Sequence, residues 1–270
     1  ISYHCLPEGI TFATQAQVDS FAINNPGCTE IEGAVYIGPS DNITNLDGLS
    51  VLTSIGGELI INLNTVLNNL SGLGNLTSIG EGFGIGGNDA LISLSGLDNL
   101  TFIGGGLIIG NWLIGGNPTL SSLNGLESLT SIGGELVISY NDDLNSLIGL
   151  DNIDAASITN LIIINNSSLS TCEVQSICDY LASPNGTISI HDNAPSCNSQ
   201  QEVEEACLSH CLPEGVTFTT QAQIDSFAIN YPNCTEIEGD VIIEGAEITN
   251  LNGLIVINSI GGNLTISNDS

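Results

Sequence analysis

Residues 59–79 carry a skeleton, L-x-I-x-x-N-x-x-L-x-x-L-x-G-L-x-x-L-x-x-I, in Leu59, Ile61, Asn64, Leu67, Leu70, Gly72, Leu73, Leu76 and Ile79. It returns at Phe83, Ile85, Asn88, Leu91, Leu94, Gly96 and Leu97. A third copy has Leu107 and Ile109, then Asn117, Leu120, Leu123, Gly125 and Leu126. A fourth has Leu136, Ile138, Asn141, Leu144, Leu147, Gly149 and Leu150. Ile55 to Ile79 and Ile79 to Ile103 are both steps of 24 residues. A fixed period of that size predicts stacked units, each unable to bury its apolar side alone.

The pattern within one period predicts the shape of the unit. Leu136 and Ile138 alternate with Val137 and Ser139, as the two faces of a short strand do. The next apolar residues, Leu144, Leu147 and Leu150, fall every third position. No i, i+4 partner recurs, and Gly and Asn interrupt every turn, so the period is not helical. The expected fold is mainly β. It is a right-handed parallel β-helix, or leucine-rich-repeat-like solenoid, of about 24-residue coils with strands about 4.8 Å apart. The recurring Asn is expected to turn inward and bond backbone groups of its own and the next coil. The recurring Gly suits either a positive-φ bend or a close contact between coils.

The ends of the array read as caps. Residues 5–30 hold a short strand, Gly9–Phe12, then a capping box with Thr14 as N-cap and Gln17 at N3. The helix that follows is expected to stop before Pro26, and a Cys5–Cys28 disulfide would staple this N-cap. Coils occupy 31–169, the first of them degenerate (Val35, Ile37, Ile43, Leu46, Gly48, Leu49, Leu52, Ile55). A C-cap spans 170–207, with helices expected over Glu173–Leu181 and Ser199–Ala206 around a strand at Ile188–Ile190. Its four cysteines allow three pairings. Aligning coils by their Asn puts Cys197 within two positions of Cys172, which leaves Cys178–Cys207. No C-x-x-C occurs, and no His pairs with Cys at finger spacing, so disulfides and an extracellular setting are the expectation.

At Cys211 the chain begins again. Residues 5–33 and 211–239 differ at five of 29 positions, and Cys211–Cys234 repeats the staple. After a linker at 208–210, residues 211–270 read as the start of a second, truncated module. Its unfinished coil, with Leu264 and Ile266, implies that Ser270 is not the biological end. The chain has no Met, which reads as a start already removed.

The skeleton, the CLPEG…TQAQ.DSF…C cap and the CEVQSICDYL…CNSQQEVEEAC cap together resemble the receptor L-domain family. They look like its modules in large secreted surface proteins of Bacteroidetes. The resemblance covers essentially the whole chain. It implies a cell-surface role and, in members of this kind, a C-terminal sorting domain for type IX secretion, none of which is visible here. Its eukaryotic receptor members bind ligands on L-domain surfaces, yet no ligand-binding residue carries over to a position of this sequence.

The remaining residues bear on function mainly by exclusion. With 30 Asp and Glu and no Lys or Arg, the formal charge is −30, so nucleic acid and anionic lipid are poor partners. No apolar run reaches transmembrane length, so direct membrane insertion is not expected. His4, His191 and His210 are isolated, Asp192 beside His191 does not make a triad, and Gly104-Gly105-Gly106 lacks the lysine of a phosphate loop. No cofactor is expected. Asp142, Asp143, Asp151 and Asp154 are the candidates for Ca²⁺, but without a D-x-D-x-D-G loop they read as a solvated acidic face. Sequons such as Asn42-Ile-Thr44 and Asn75-Leu-Thr77 follow from a repeat rich in Asn, Ser and Thr. One coil departs from the rest: Gly110–Gly116 replaces the usual two residues, adding five and the only Trp. Insertions in repeat proteins go to one face, so Asn111, Trp112 and Leu113 form the candidate binding loop. The bland alternative is a local bulge whose Trp packs on its neighbours. Two function classes follow: a non-enzymatic structural module of an extracellular fibre or stalk, partnered by further copies in its own and neighbouring chains; or an adhesin or receptor-type ectodomain binding glycan or protein.

Because every ionised side chain at neutral pH is an acid, salt or divalent cations are expected to raise the melting temperature by screening or bridging them. Thermal scans from low to high ionic strength, with and without calcium, check this; a response to calcium alone would mark a specific site.

Overall fold

The computed structural model describes residues 4–111, 113–212, 214–231 and 234–267. The chain forms two compact units, Ile1–Val203 and Glu204–Ser270. It is mainly β, with parallel sheets and few helices. In the first unit, eight strands make one parallel sheet: Ile10–Phe12, Val35–Ile37, Leu59–Asn62, Phe83–Gly86, Leu107–Ile109, Leu136–Ser139, Leu161–Ile164 and Ile188–His191. Each pairs with the strand one repeat before and after it. A second parallel sheet of six strands is built from two-residue pieces: His4–Cys5, Glu30–Ile31, Ser54–Ile55, Ser78–Ile79, Phe102–Ile103 and Ser131–Ile132. The chain visits the two sheets alternately as far as Leu136–Ser139, after which the last two strands, Leu161–Ile164 and Ile188–His191, both join the long sheet.

Register follows the skeleton rather than the residue count. Leu59 pairs with Phe83 and Phe83 with Leu107. Leu107 pairs with Leu136, 29 residues on, so the five added residues are looped out and the ladder is undisturbed. A one-residue slip would turn every inward side chain outward, and burial forbids that. Leu59, Ile61, Phe83, Ile85, Leu107, Ile109, Leu136 and Ile138 are all buried, as are the Leu at every third position beyond them. Each fully buried Leu or Ile contributes roughly 1.5–3 kcal/mol relative to exposure.

The recurring Asn does turn inward, and it does more than bond backbone. Asn64, Asn88, Asn117, Asn141 and Asn166 are fully buried in a row. Nδ2 of Asn117 donates to Oδ1 of Asn141 at 3.0 Å, and the Asn117 backbone N–H donates to the same oxygen at 3.0 Å. Nδ2 also reaches back to the Ile85 carbonyl at 3.2 Å. The pattern recurs from Asn64 to Asn193, joining each repeat to the one before and the one after. At the far end Asn193 N–H donates to Asn198 Oδ1, and Asn198 N–H donates to the Glu202 carboxylate. At the near end the rung below Asn64 is occupied by Ser40, and Asn64 Oδ1 has no partner within the protein. A threonine series runs in parallel: Thr53, Thr77, Thr101 and Thr130 each donate Oγ1 to a carbonyl of the repeat before.

The recurring glycine serves both of the purposes read from the sequence, in different repeats. Gly72 lies in a 3₁₀ turn, Ser71–Leu73, where a Cβ would come within 1.9 Å of the Leu46 carbonyl oxygen of the preceding repeat. Gly149 instead takes φ +111°, where L side chains are strained. Two neighbouring positions make the choice. In the 3₁₀ repeats an Asn two residues before the turn accepts its first N–H, as Asn69 does from Ser71. In the other repeats a Ser takes that place, as in Ser146 with Ile148. There an acid two residues past the glycine captures the glycine N–H: Asp98 with Gly96, Glu127 with Gly125 and Asp151 with Gly149. Local side-chain acceptors thus select between two turns of similar length.

Helices close the array. Thr14 and Gln17 form the capping box of helix Gln15–Asn24, whose Val18 and Phe21 are buried. The first C-terminal helix is Gln175–Ala182, starting two residues later than the sequence suggests because Glu173 folds its carboxylate back onto the Cys172 N–H. The second is Gln200–Ser209, with Ser199 Oγ accepting from Glu202 N–H, and strand His210–Cys211 follows it directly. Cys5 is bonded to Cys28, Cys172 to Cys197 and Cys211 to Cys234. Cys178 and Cys207 are also disulfide-bonded.

The second unit repeats the first unit's opening. Thr220 and Gln223 form the same capping box, ahead of Gln221–Asp225 and Phe227–Asn230. Strands Val216–Phe218, Val241–Glu244 and Leu264–Ser267 make one parallel sheet, and His210–Cys211, Glu236–Ile237 and Ser259–Ile260 another. Phe218, Ile224, Phe227, Ile237, Val241 and Ile243 form its core.

Removing an interior rung of the Asn row strands buried donors, whereas removing its first rung strands only acceptors. Asn141→Ala is expected to cost about 3 kcal/mol and Asn64→Ala about 1 kcal/mol. Urea unfolding of the two variants beside the parent chain checks the ranking.

Candidate functional site

The inserted segment is the one place where the repeat leaves its own pattern, and its geometry begins at the strand below. Outward positions of the long sheet carry Tyr36, Ile60, Ile108, Val137 and Ile162, aligned across the strands. Strand Phe83–Gly86 puts glycine at its outward positions, Gly84 and Gly86, and both are buried. What covers Gly86 is the insertion. A Cβ there would lie 2.9 Å from the Gly115 carbonyl oxygen and 3.2 Å from Ile114 Cδ1. Gly87 N–H donates to the Gly116 carbonyl at 2.8 Å, which ties the returning chain to the strand.

The loop itself is short and closed. Asn111 and Gly115 exchange backbone hydrogen bonds at 3.2 and 2.8 Å. Asn111 Oδ1 accepts from Leu113 N–H at 2.7 Å, an Asx turn that fixes the tip. Leu113 is 72% exposed. Trp112, named with Asn111 and Leu113 as the candidate binding loop, lies outside the described residues.

The neighbouring bends add a feature that the sequence pattern does not announce. The residue just before the ladder Asn turns left-handed at every rung but Asn117, which the insertion precedes: Leu63 at φ +58°, Gly87 at +68°, Tyr140 at +59°, Asn165 at +56° and Asp192 at +56°. For Leu and Tyr this conformation costs about 1–2 kcal/mol. Leu63 and Tyr140 nevertheless occupy it, part-exposed, on the repeats that border the insertion. Tyr140 lies against Gly116, where a Cβ would overlap its carbonyl oxygen. On strand Val35–Ile37, the Tyr36 hydroxyl donates to Glu58. That bond, then burial and the charges of Glu58 and Glu81, holds the phenol above its ordinary value of 10.0.

No family model, curated protein or solved structure matches this chain.

The remaining candidate residues are dispersed. Among the described residues no three His, Cys, Asp or Glu converge as metal ligands do. Asp151 and Asp154 each accept a local backbone N–H, from Gly149 and Ala156, and Asp142 accepts from Ser167 Oγ. Asp143 contributes its backbone N–H, which donates to the Pro118 carbonyl. His191 Nδ1 lies 2.7 Å from Asp192 Oδ2, both side chains are more than half exposed, and Ser199 across from His191 spends its hydroxyl on capping a helix. Among the described residues no helix is long and apolar enough to cross a membrane.

The glycine at position 86 is expected to be a condition for the loop's seat. Gly86→Val should leave the strand in place, since Val suits strands, but should lift residues 111–115 off the sheet. Limited chymotrypsin digestion, followed by mass spectrometry, should then show faster cleavage within that segment than in the parent chain.

Proposed function

We propose that this chain is a non-enzymatic structural module of an extracellular, tandem-repeat surface fibre or stalk, folded as a right-handed parallel β-helix of leucine-rich-repeat-like coils. The observation that carries the reading is the exact restart of the architecture. The capping box, the disulfide and the strand register of residues 5–61 recur at 211–266: Ile10 pairs with Val35 and Val35 with Leu59, while Val216 pairs with Val241 and Val241 with Leu264. One module following another along a fibre gives such a chain a use, and the resemblance to receptor L-domain modules points the same way.

Four disulfides suit an oxidising, extracellular setting, and a dense negative surface keeps fibres from clumping.

Adhesin or receptor-type binding is the second reading, and the exposed Leu113 tip is the observation that favours it. Electron microscopy of the native material separates the two. The fibre reading expects thin unbranched filaments of end-to-end modules; isolated compact particles of one or two modules would overturn it.

A further inference from the structure

We infer that the outward face of the eight-stranded sheet, with the Asn111–Gly115 loop seated on it, docks a cationic, aliphatic segment of another protein. The centre of this face is apolar. Ile108, Val137 and Ile162 stand side by side on adjacent strands, each half-buried with no layer of the described chain over them. Leu113, 72% exposed, belongs to the loop that covers Gly86 on the same outward face.

Both margins are acidic. Glu135 immediately precedes strand Leu136–Ser139 on one side, with Glu58 in the equivalent place three repeats earlier. On the other side Asp89, Asp142 and Asp143 follow the ladder asparagines of the repeats that flank the loop. None of these carboxylates meets a Lys or Arg, because the chain has none.

That charge balance selects the occupant. A second copy of this chain brings another −30 and would place carboxylate against carboxylate on both margins. An anionic lipid surface is repelled for the same reason. A segment with Leu- or Ile-type side chains at its centre and Lys or Arg at its edges buries the stripe and pairs the margins in one placement. Two features indicate that the apolar part is built and not left over. Glycine at 86 makes room for the loop, since a Cβ there would lie 2.9 Å from the Gly115 carbonyl oxygen. Leu63 and Tyr140, bordering it, are held in left-handed conformations that Gly or Asn would adopt at less cost.

The test uses the whole chain and three synthetic 12-residue peptides: one alternating Lys and Leu, one alternating Lys and Ser, and one alternating Glu and Leu. Isothermal titration calorimetry at physiological salt is expected to show binding of the Lys/Leu peptide at least tenfold tighter than either other. Leu113→Asp should weaken that binding at least fivefold. Ile23→Asp, on the exposed side of the N-terminal helix, should leave it unchanged and serves as the matched surface control. Equal binding of the Lys/Ser peptide would reduce the effect to unspecific attraction between opposite charges and overturn the inference. So would an unchanged affinity in Leu113→Asp, or binding of a neutral oligosaccharide panel with no binding of the Lys/Leu peptide. None of these outcomes depends on whether the native material forms filaments.

Discussion

The row of buried asparagines is the interaction on which the rest of the first unit depends. Each bend between a long-sheet strand and the next segment leaves backbone donors and acceptors inside an apolar stack, away from water. An unmade hydrogen bond there costs about 1–3 kcal/mol. One Asn per repeat resolves the problem in both directions, accepting from the rung before it and donating to carbonyls of earlier repeats and to the rung after it. Because the same side chain does this at each level, the repeats are locked in register even where their lengths differ. The 29-residue step from Leu107 to Leu136 shows the point: the strands and the Asn row run straight through, and the surplus is expelled to the surface.

The row also has a direction. From Asn88 to Asn193 each Oδ1 accepts from the Asn one rung nearer the N-terminus, so the side-chain bonds along the row all run the same way. The donor end is closed by Asn198 and the Glu202 carboxylate, a negative group where positive partial charge accumulates. The acceptor end at Asn64 is left without a protein donor, beside a repeat whose corresponding position is Ser40. The stack is therefore finished chemically at the end where the helical cap begins, and unfinished at the end where the regular repeats start.

Charge works on a different scale. Thirty acids and no Lys or Arg leave the interior untouched, since the buried polar groups are neutral amides and hydroxyls. The cost falls on the surface, as mutual repulsion that salt relieves. Several acids are placed to earn local return: Asp98, Glu127 and Asp151 each hold a glycine N–H at a left-handed bend. Glu58, Glu135, Asp89, Asp142 and Asp143 lie next to the strands and bends that border the outward face of the long sheet.

Much of this was legible in the residues alone. The period, the inward Leu and Ile, the capping boxes and the site of the insertion follow from spacing, because burial on one side of a stacked strand imposes a period of two and a fixed step between repeats. The sequence also named Asn and Gly as the residues of the bends. It did not determine which glycines turn left-handed, since that rests on whether an Asn before or an acid after the bend captures a particular N–H. Nor did it show that the Asn amides bond one another, or that Leu63 and Tyr140 accept strained conformations beside the loop. Spacing within one chain segment records which side chains must be buried. Which groups meet across repeats is decided only when residues 24 or more positions apart are brought within hydrogen-bond distance, and that is a property of the tertiary structure.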